Sequence, residues 1–205
     1  MPVNKSLRTW RHLLLDLGEF IVELVKVVLI SLVIILPVRY YLVQPFYVKG
    51  ASMEPTFLDH EYLLIDEISY RFEKPNRGEV VVFRYPRDPR QFFIKRIIGL
   101  PGETVHIKNG YISTTPAGSS EEQVINEPYL GSEIVTNGEL SVTVPAGYYF
   151  LMGDNRNASL DSRNFGPVAE RYIVGRVWLR AWPFDRWMTF GYSDGSMVSY
   201  YEKKD

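Results

Sequence analysis

Apolar residues follow two different patterns along the chain. The first is an apolar run from Val27 to Val38, which extends to Leu24–Tyr41 when Lys26 and Arg39 near its ends are included. About 20 predominantly apolar residues cross a bilayer as a helix, and basic side chains near the ends of such a helix reach the interface. Residues 24–41 are therefore expected to form one transmembrane helix.

Basic residues determine the expected orientation of this helix. Lys5, Arg8 and Arg11 precede it, and short segments rich in lysine and arginine remain on the cytoplasmic side of a membrane. Residues 1–23 are therefore expected in the cytoplasm and residues 42–205 on the exported side. Two alternatives stay open. The first is a cleaved secretory signal, which would need a cleavage site of small residues that the sequence after the run does not offer. The second is a buried core helix, which suits an apolar run of 12 residues.

After Phe46 the pattern changes to short segments rich in β-branched and aromatic residues, separated by the turn sequences PNRG, PGE, NG and PAG. Such segments are typical of β-strands joined by tight turns. The predicted strands are YVKG (47–50), YLLIDEI (62–68), EVVVFRY (79–85), FFIKRIIGL (92–100), TVHIKNGYI (104–112), LSVTVPAG (140–147), YYFLM (148–152) and GRVWLRAW (175–182). No long amphipathic helix is evident among them, so the sequence predicts a mainly β domain, either barrel-like or a folded sheet.

One interval of this β domain differs in composition. Residues 113–140 are polar and rich in turn residues, which is typical of mobile loops rather than of a core. We therefore expect residues 105–145 to form an inserted or variable subregion of the exported domain.

Composition narrows the chemistry. The 205 residues carry a net charge of -1, which leaves no basic footprint for a nucleic acid. The absence of cysteine excludes a cysteine nucleophile, a disulfide framework and thiolate metal sites. The histidines are His12, His60 and His106, and nothing in the sequence requires a metal or a cofactor.

Lys95 is a candidate general base. It lies in QFFIKRIIGL, where the alternation of a strand places Lys95 and Arg96 on opposite faces. Arginine stays protonated in proteins, whereas burial among apolar side chains lowers the pKa of a lysine toward neutrality. A neutral lysine can take a proton from a serine hydroxyl. The alternative is an ordinary charge on an edge strand.

Ser52 is a candidate nucleophile. A predicted strand ends at Lys49, and Gly50 allows a tight backbone path before the serine. A serine in this position can project its hydroxyl into a cleft, and its own backbone N–H can help to form an oxyanion hole. The alternative is a plain turn serine.

A third polar cluster follows the apolar segment YYFLM. The sequence GDNRNASLDSRNFGPV spans Gly153–Val168 and combines carboxylates, guanidinium groups and hydroxyls. Such a run is often a solvated loop, but its chemistry also suits a shell of groups that orients a catalytic lysine. Asp161 and Arg163 are candidates for an ion pair within it.

Taken together, these segments resemble the bacterial type I signal peptidases, the Ser/Lys leader peptidases. The similar stretches are GASMEPT at Gly50–Thr56, KRIIGLPGE at Lys95–Glu103 and MGDNRNASLDSRNFGPV at Met152–Val168. They occur in the order found in the family, and the expected anchor lies just before the first of them. The resemblance covers roughly Leu24 to Pro183.

This resemblance implies a role for each matching polar residue. Ser52 is then the nucleophile, its backbone N–H belongs to the oxyanion hole, and Lys95 is the general base. The third stretch then supports the site through Ser159, which helps to position the lysine, and through Asp161, Arg163, Asp154, Asn155 and Arg156. Gly50 departs from those members that carry a serine there, whose hydroxyl assists the oxyanion hole, so a backbone or water donor must substitute or the hole is weaker.

The activity that the resemblance implies is that of a serine endopeptidase, a hydrolase that removes signal peptides from exported preproteins. It cuts after small residues in an Ala-x-Ala-like pattern through an acyl-enzyme. The implied partners are preprotein signal peptides, the lipid bilayer and, in proximity, the secretion translocon, and the implied location is the cell membrane with a single pass. The signal peptide is expected to add as an extended strand to a sheet edge beside Ser52. Four aromatic residues are expected either to touch the membrane surface or to pack in a core: Trp178, Trp182, Phe184 and Trp187.

Three other functions are weighed against this one. A Ser-His-Asp hydrolase would need His60 or His106 near Ser52. A self-cleaving repressor shares the Ser/Lys chemistry, although the anchor and the GDNR stretch argue against it. A membrane-tethered β domain that binds peptides without catalysis is the third alternative.

Overall fold

The computed structural model describes the backbone of residues 5–41, 43–131, 134–193 and 196–200, and the side chains of residues 16–36, 44–131 and 134–191. Contacts within the chain divide it into two compact units, Met1–Leu42 and Val43–Asp205. The division lies one residue beyond the carboxyl end of the segment expected to be an anchor.

The first unit contains a long helix, α1, which spans Lys5–Tyr41. Its apolar residues follow one another without the period of two that a half-buried strand would show. Between residues 16 and 36 almost all of its side chains are exposed. In the part of the chain that the structure describes, no helix combines the length and the apolar character needed to cross a membrane. The side chains of residues 37–41, at the carboxyl end of the expected anchor, lie outside the described residues.

The second unit is built almost entirely from β-strands. The described strands are β1 (Val43–Tyr47), β2 (Tyr62–Asp66), β3 (Val80–Tyr85), β4 (Asp88–Gly99), β5 (Thr104–Lys108), β6 (Tyr111–Thr115), β7 (Gln123–Val124), β8 (Leu140–Thr143), β9 (Tyr148–Met152), β10 (Val168–Ala169), β11 (Ile173–Trp182), β12 (Met188–Ser193) and β13 (Ser196–Tyr200). A one-turn helix, α2 (Ser162–Phe165), lies between β9 and β10, and short 3-10 turns span Ser69–Arg71, Glu170–Tyr172 and Phe184–Arg186.

The larger of two sheets is antiparallel and runs in the order β1-β2-β11-β3-β4-β9-β10, with β12 paired to β11 and β13 to β12. Four consecutive residues of β3, from Val80 to Phe83, are buried, which indicates that both faces of the sheet are covered there. Val80 and Val82 face one apolar core with Met53 and Phe57. On the opposite face, Val81 and Phe83 belong to a second core whose other buried members are Ile97, Tyr149, Leu151 and Val168.

The smaller sheet is antiparallel and runs in the order β7-β6-β5-β8. Asn109 and Gly110 both have positive φ, 52° and 85°, in the turn that joins β5 to β6. The sequence Asn-Gly suits such a turn because both central residues must tolerate the left-handed region. Gly99 lies where the two sheets meet, since a Cβ there would clash with Val105 of β5 in the smaller sheet as well as with Phe150 of β9 in the larger one.

The smaller sheet refines the expectation that residues 113–140 form an inserted subregion or mobile loops. Ser113 and Thr114 belong to β6 and are buried, and Thr136 is also buried, whereas most of the other described residues of the interval lie in loops. Ile112 and Val144 at the borders of the interval join a core with β5 and β9. The polar composition is misleading because threonine and serine pair well between strands while apolar residues of neighbouring segments supply the core.

Most of the predicted strands are confirmed, and the domain is mainly β with antiparallel sheets. YVKG is wrong as a strand, because β1 spans Val43–Tyr47 and contains Pro45. Proline is tolerated there since β1 is an edge strand, paired to β2 on one side. The described path of the larger sheet ends in different strands, β1 and β10, so it is an open sheet and the folded-sheet prediction describes it.

Candidate active site

The turn that carries Ser52 follows β1 and is fixed at several points. Gly50 has a φ of +86°, in the region that favours glycine, and its N–H donates to Asp59 Oδ1 at 2.8 Å. Asn155 fixes the other side of the turn. Its backbone N–H donates to Ser52 O at 3.1 Å, and its Nδ2 donates to Ala51 O at 3.0 Å. These bonds hold the serine in one orientation.

Lys95 lies on β4 with 3% of its surface exposed. Its Nζ donates hydrogen bonds of 2.7 Å to Ser52 Oγ and of 2.7 Å to Ile94 O. The alternative that Lys95 is an ordinary exposed charge is therefore wrong, since its side chain is buried and its Nζ contacts Ser52. The structure thus brings the two predicted catalytic candidates into direct contact.

Burial lowers the pKa of Lys95 from 10.5 to about 8. The negative charges of Asp161 and Asp154 act in the opposite direction and keep the pKa from falling further. The ring of Phe93 lies 5.6 Å from Nζ and belongs to the apolar surroundings that withdraw the ammonium group from water. At pH 7 a minority of Lys95 side chains are consequently uncharged and able to accept a proton.

Asp154 forms a fully buried ion pair with Arg96, the neighbour of Lys95 on β4. Arg96 Nε and Nη2 donate to the two carboxylate oxygens at 2.8 and 2.6 Å, and both side chains have 0% exposure. Thr56 Oγ1 also donates to Asp154, and Arg96 Nη1 donates to Gly78 O at 2.8 Å. A buried pair with these further hydrogen bonds offsets much of the cost of removing two charges from water.

Arg156 connects the third polar cluster to the smaller sheet. Its side chain is buried, and its Nε donates to Gly153 O at 3.0 Å. Its Nη1 donates to Glu127 Oε2 at 3.0 Å and to Thr136 Oγ1 at 2.5 Å. Arg156 therefore fixes the loop after β9 rather than contacting Lys95 itself.

Asp161 and Arg163 form the ion pair that the sequence suggested. Arg163 Nε and Nη2 donate to the carboxylate of Asp161 at 2.9 Å each, and Arg163 Nη2 also donates to Arg156 O at 2.7 Å. Asp161 caps α2 by accepting from the N–H of Arg163 at 3.2 Å, and it accepts from the N–H of Gly153 at 3.1 Å. Burial by itself would raise the pKa of Asp161, but the hydrogen bonds and charge of Arg163 lower it below its usual value.

Ser159 lies where the third cluster and the nucleophile turn converge. Its Oγ is buried, and its nearness to the carboxylate of Asp161 helps to lower the pKa of that group. Gly153 permits this convergence, because a Cβ there would lie 2.6 Å from Ser159 Cβ and would also clash with Ser52 O. The expected role of Ser159 in positioning Lys95 stays a prediction.

An open cleft of about 740 Å³ leads to Ser52 and Lys95. Its apolar lining residues include Phe46, Leu63, Val82, Phe93, Ile94 and Leu160. Residues 92–95 of β4 pair with β3 along one edge, whereas the pairing with β9 begins only at Arg96. Within the described strands, the second edge of residues 92–95 is therefore unpaired where β4 borders the cleft.

Neither described histidine lies beside the serine. His60 Nδ1 is 3.1 Å from Asp59 Oδ2, and the two ring nitrogens of His106 lie 3.1 Å from Thr115 Oγ1 and Ser141 Oγ on the smaller sheet. The side chain of His12 lies outside the described residues. The contacts of Ser52 thus involve a lysine rather than a histidine.

Sequence reasoning missed several residues that shape this site. Thr56 and Gly153 lie within the stretches that carried the resemblance, and their positions there were a usable signal. Glu127 and Tyr129 gave no local signal, because they lie in the polar interval and reach the site only through the fold.

Comparison with known proteins identifies the family. The family described as signal peptidase, peptidase S26, matches residues 21–182. The chain belongs to this family. Probable signal peptidase I-1 of Synechocystis sp. is 34% identical over 180 residues, which cover 84% of this chain and 88% of that protein. Signal peptidase I U of Bacillus subtilis (strain 168) is 36% identical over 160 residues, which cover 74% of this chain and 82% of that protein.

A solved structure is also similar. The crystal structure of a signal peptidase I from Enterococcus faecalis V583 is 31% identical, covers 51% of this chain and 97% of that chain, and gives a TM-score of 0.43. The family match spans Ser52, Lys95 and the whole third cluster. The chain is therefore a hydrolase of the S26 peptidase family, and the membrane-tethered β domain that binds peptides without catalysis is not favoured.

The buried Arg96–Asp154 pair generates a stability prediction. Asp154→Ala leaves the Arg96 guanidinium buried without its carboxylate, so we expect the free energy of unfolding to fall by about 3–5 kcal/mol. Equilibrium unfolding in urea measures this loss. Asp88→Ala, which removes the partner of the exposed Arg90, is the matched control and should leave the midpoint close to that of the wild type. A similar small effect for both variants would contradict the assignment of a strong buried pair.

Proposed function

We propose that this chain removes signal peptides from exported preproteins as a serine endopeptidase, with Ser52 as the nucleophile and Lys95 as the general base. The observation that carries the proposal is the 2.7 Å hydrogen bond between Lys95 Nζ and Ser52 Oγ in an apolar cleft. A buried amine of lowered pKa beside a hydroxyl has the geometry for proton transfer. The names of the relatives supply the substrate class.

In the first half of the proposed mechanism, the neutral amine of Lys95 accepts the hydroxyl proton of Ser52 as Oγ attacks the scissile carbonyl carbon. The carbonyl oxygen becomes an oxyanion. The ammonium group of Lys95 then returns its proton to the leaving amine as the peptide C–N bond breaks. The mature protein departs, and the signal peptide stays attached to Ser52 as an ester.

In the second half, Lys95 takes a proton from a water molecule, which attacks the ester carbonyl. The resulting tetrahedral intermediate collapses, Ser52 Oγ recovers a proton from Lys95, and the signal peptide leaves with a new carboxylate. One lysine therefore serves both halves, and each half begins and ends with Lys95 neutral.

The backbone N–H of Ser52 is the proposed oxyanion donor. It makes no hydrogen bond to the described residues, so it is available for a substrate oxygen. Gly50 contributes no side-chain donor. Its φ of +86° explains why glycine suits this position even though open space surrounds a Cβ placed there.

The cleft supports a preference for small side chains in an extended peptide. A signal peptide that pairs with the unpaired edge of residues 92–95 would project alternate side chains toward the apolar lining near Phe46, Val82 and Ile94. Leu160 and Phe93 line the same cleft, and shallow pockets formed by these apolar residues would accept small side chains and reject large ones. This matches the Ala-x-Ala-like pattern that the resemblance implies.

The proposed location is the cell membrane, with α1 as a single-pass anchor and the translocon in proximity. Residues 16–36 of α1 expose many apolar side chains, and Lys26 pairs with Glu23 at 2.8 Å near the amino end of residues 24–41. Pairing reduces the cost of a charge near the membrane. Trp178, Trp182, Phe184 and Trp187 are each 45–74% exposed, which supports contact with the bilayer surface more than burial in a core.

The first test compares cleavage of a preprotein by the wild type, Ser52→Ala and Lys95→Ala in detergent. We expect both variants to lose at least about a thousandfold in kcat/KM, because the nucleophile and its base act as one unit. Ser120→Ala and Lys74→Ala change the same residue types at exposed positions and should cleave normally. Circular dichroism establishes that each variant is folded. Retention of near-wild-type cleavage by Ser52→Ala or Lys95→Ala would assign the reaction to other residues. A wild type that binds the preprotein without cleaving it would favour the non-catalytic alternative.

The pKa of Lys95 sets the second prediction. Only the neutral amine accepts a proton, and its fraction rises as the pH approaches about 8, so kcat/KM should increase with pH and then level off. The increase should be about fiftyfold between about pH 6 and about pH 8. A substrate without groups that titrate in this range gives a clean profile. A flat profile across this range would show that a group other than Lys95 provides the base.

The anchor is tested by the double variant Ile30→Arg plus Val33→Arg. Two arginines near the middle of residues 24–41 should each cost about 2.5–3.5 kcal/mol in a bilayer, so alkaline carbonate should release the variant from membranes. Wild type and the control Ile30→Leu plus Val33→Leu should stay in the pellet. Release of the wild type would show that α1 does not anchor the chain.

A further inference from the structure

Tyr129 packs against the arginine next to the proposed base. Its ring centroid lies 3.7 Å from Arg96 Cζ, close enough for a strong cation–π contact. The same Arg96 holds Asp154, whose charge acts on Lys95. Tyr129 belongs to the segment between β7 and β8, so it reaches this arginine from outside the larger sheet.

Glu127 fixes Tyr129 and connects it to the loop after β9. Tyr129 Oη donates to Glu127 Oε1 at 2.6 Å, and the same carboxylate pairs with Arg156. Burial raises the pKa of Tyr129 above its ordinary value, so its hydroxyl remains a donor. Arg156 in turn donates to Gly153 O, next to Asp154. Tyr129 thus contacts Arg96 and Glu127 contacts Arg156, and each of these arginines lies next to Asp154.

We infer that Tyr129, supported by Glu127, is a positioning residue that holds Arg96 against Asp154 and thereby helps to set the orientation and charge environment of Lys95. The inference deepens the proposed function and rests on it. The charged groups that act on Lys95 are Asp154 and Asp161, which are paired with Arg96 and Arg163 respectively. Tyr129 acts on the first of these pairs.

The main test compares Tyr129→Leu with Tyr129→Phe. Leucine removes the aromatic face, so Arg96 neutralises Asp154 less well and the Asp154 charge raises the pKa of Lys95. We expect kcat for Tyr129→Leu to fall about tenfold, equivalent to about 1.4 kcal/mol, with little change in KM, and the rising limb of the pH profile to shift to higher pH. Phenylalanine keeps the ring and should restore most of kcat.

Tyr111→Leu is the matched control. Tyr111 lies on β6 of the smaller sheet and is 70% exposed, so this change removes a tyrosine without touching Arg96. It should retain the kcat and the pH profile of the wild type. Assays well below the melting temperature of each variant separate catalysis from stability. An unchanged kcat and pH profile for folded Tyr129→Leu, or an equal loss for Tyr111→Leu, overturns the inference.

Glu127→Gln provides an independent variant of similar shape. It removes a negative charge and leaves Arg156 free to compensate Asp154 more strongly, so the pKa of Lys95 should fall, opposite to the effect of Tyr129→Leu. NMR titration of the Lys95 side chain, assigned with Lys95→Met, measures both shifts without a substrate. If Lys95 titrates identically in the wild type and both variants, Tyr129 and Glu127 have no positioning role. If these shifts occur but the wild type cleaves no preprotein, the proposed function fails while the positioning role stands.

Discussion

The structure of the site depends on the burial of one amine, that of Lys95. A buried ammonium group is costly, which lowers the pKa of Lys95 to about 8, but complete isolation from charge would lower it further. Asp154 and Asp161 provide the opposing field, and each carboxylate is itself buried. Each therefore needs a cation of its own, which Arg96 and Arg163 supply. The alternation of charges around the lysine follows from this requirement.

The fold meets the requirement by bringing together three separate parts of the chain. β4 presents Lys95 and Arg96 in succession, so one residue contacts the nucleophile while its neighbour holds Asp154. The loop after β9 supplies both carboxylates, and the turn after β1 supplies Ser52. Gly153 allows the loop and the turn to approach each other closely, since any side chain at this position would clash with Ser52 O and Ser159. The absence of a side chain at Gly153 therefore allows all three parts to pack together.

The sequence was informative where local pattern and local chemistry coincide. Strands β2, β3 and β9 are predictable because apolar residues are bounded by turn residues, and Asn109-Gly110 marks its hairpin. The Ser52–Lys95 contact was predicted from the resemblance of the motifs. The alternation of residues along β4 could not predict it, because alternation does not show which face of the strand is buried. The strand β1 was predicted a few residues too late because Pro45 resembles a break, and Ser113 and Thr114 were left outside the predicted strands because their polar side chains give no sign of burial. Both errors concern strands whose bounds depend on pairing with a neighbouring strand rather than on an apolar pattern of their own.

The contact between Tyr129 and Arg96 shows why such partners escape a reading of the sequence. Neither residue has an unusual neighbour, and 33 positions separate them, so no local spacing marks the pair. Arg96 lies on the face of β4 opposite to Lys95, and its guanidinium is fully buried. A buried group needs closely packed neighbours, because a void beside it would remove its van der Waals contacts. An aromatic ring covers a planar guanidinium without adding a charge that would compete with Asp154. The segment between β7 and β8 therefore does more than connect two strands: it closes the side of the charge network that the larger sheet leaves open.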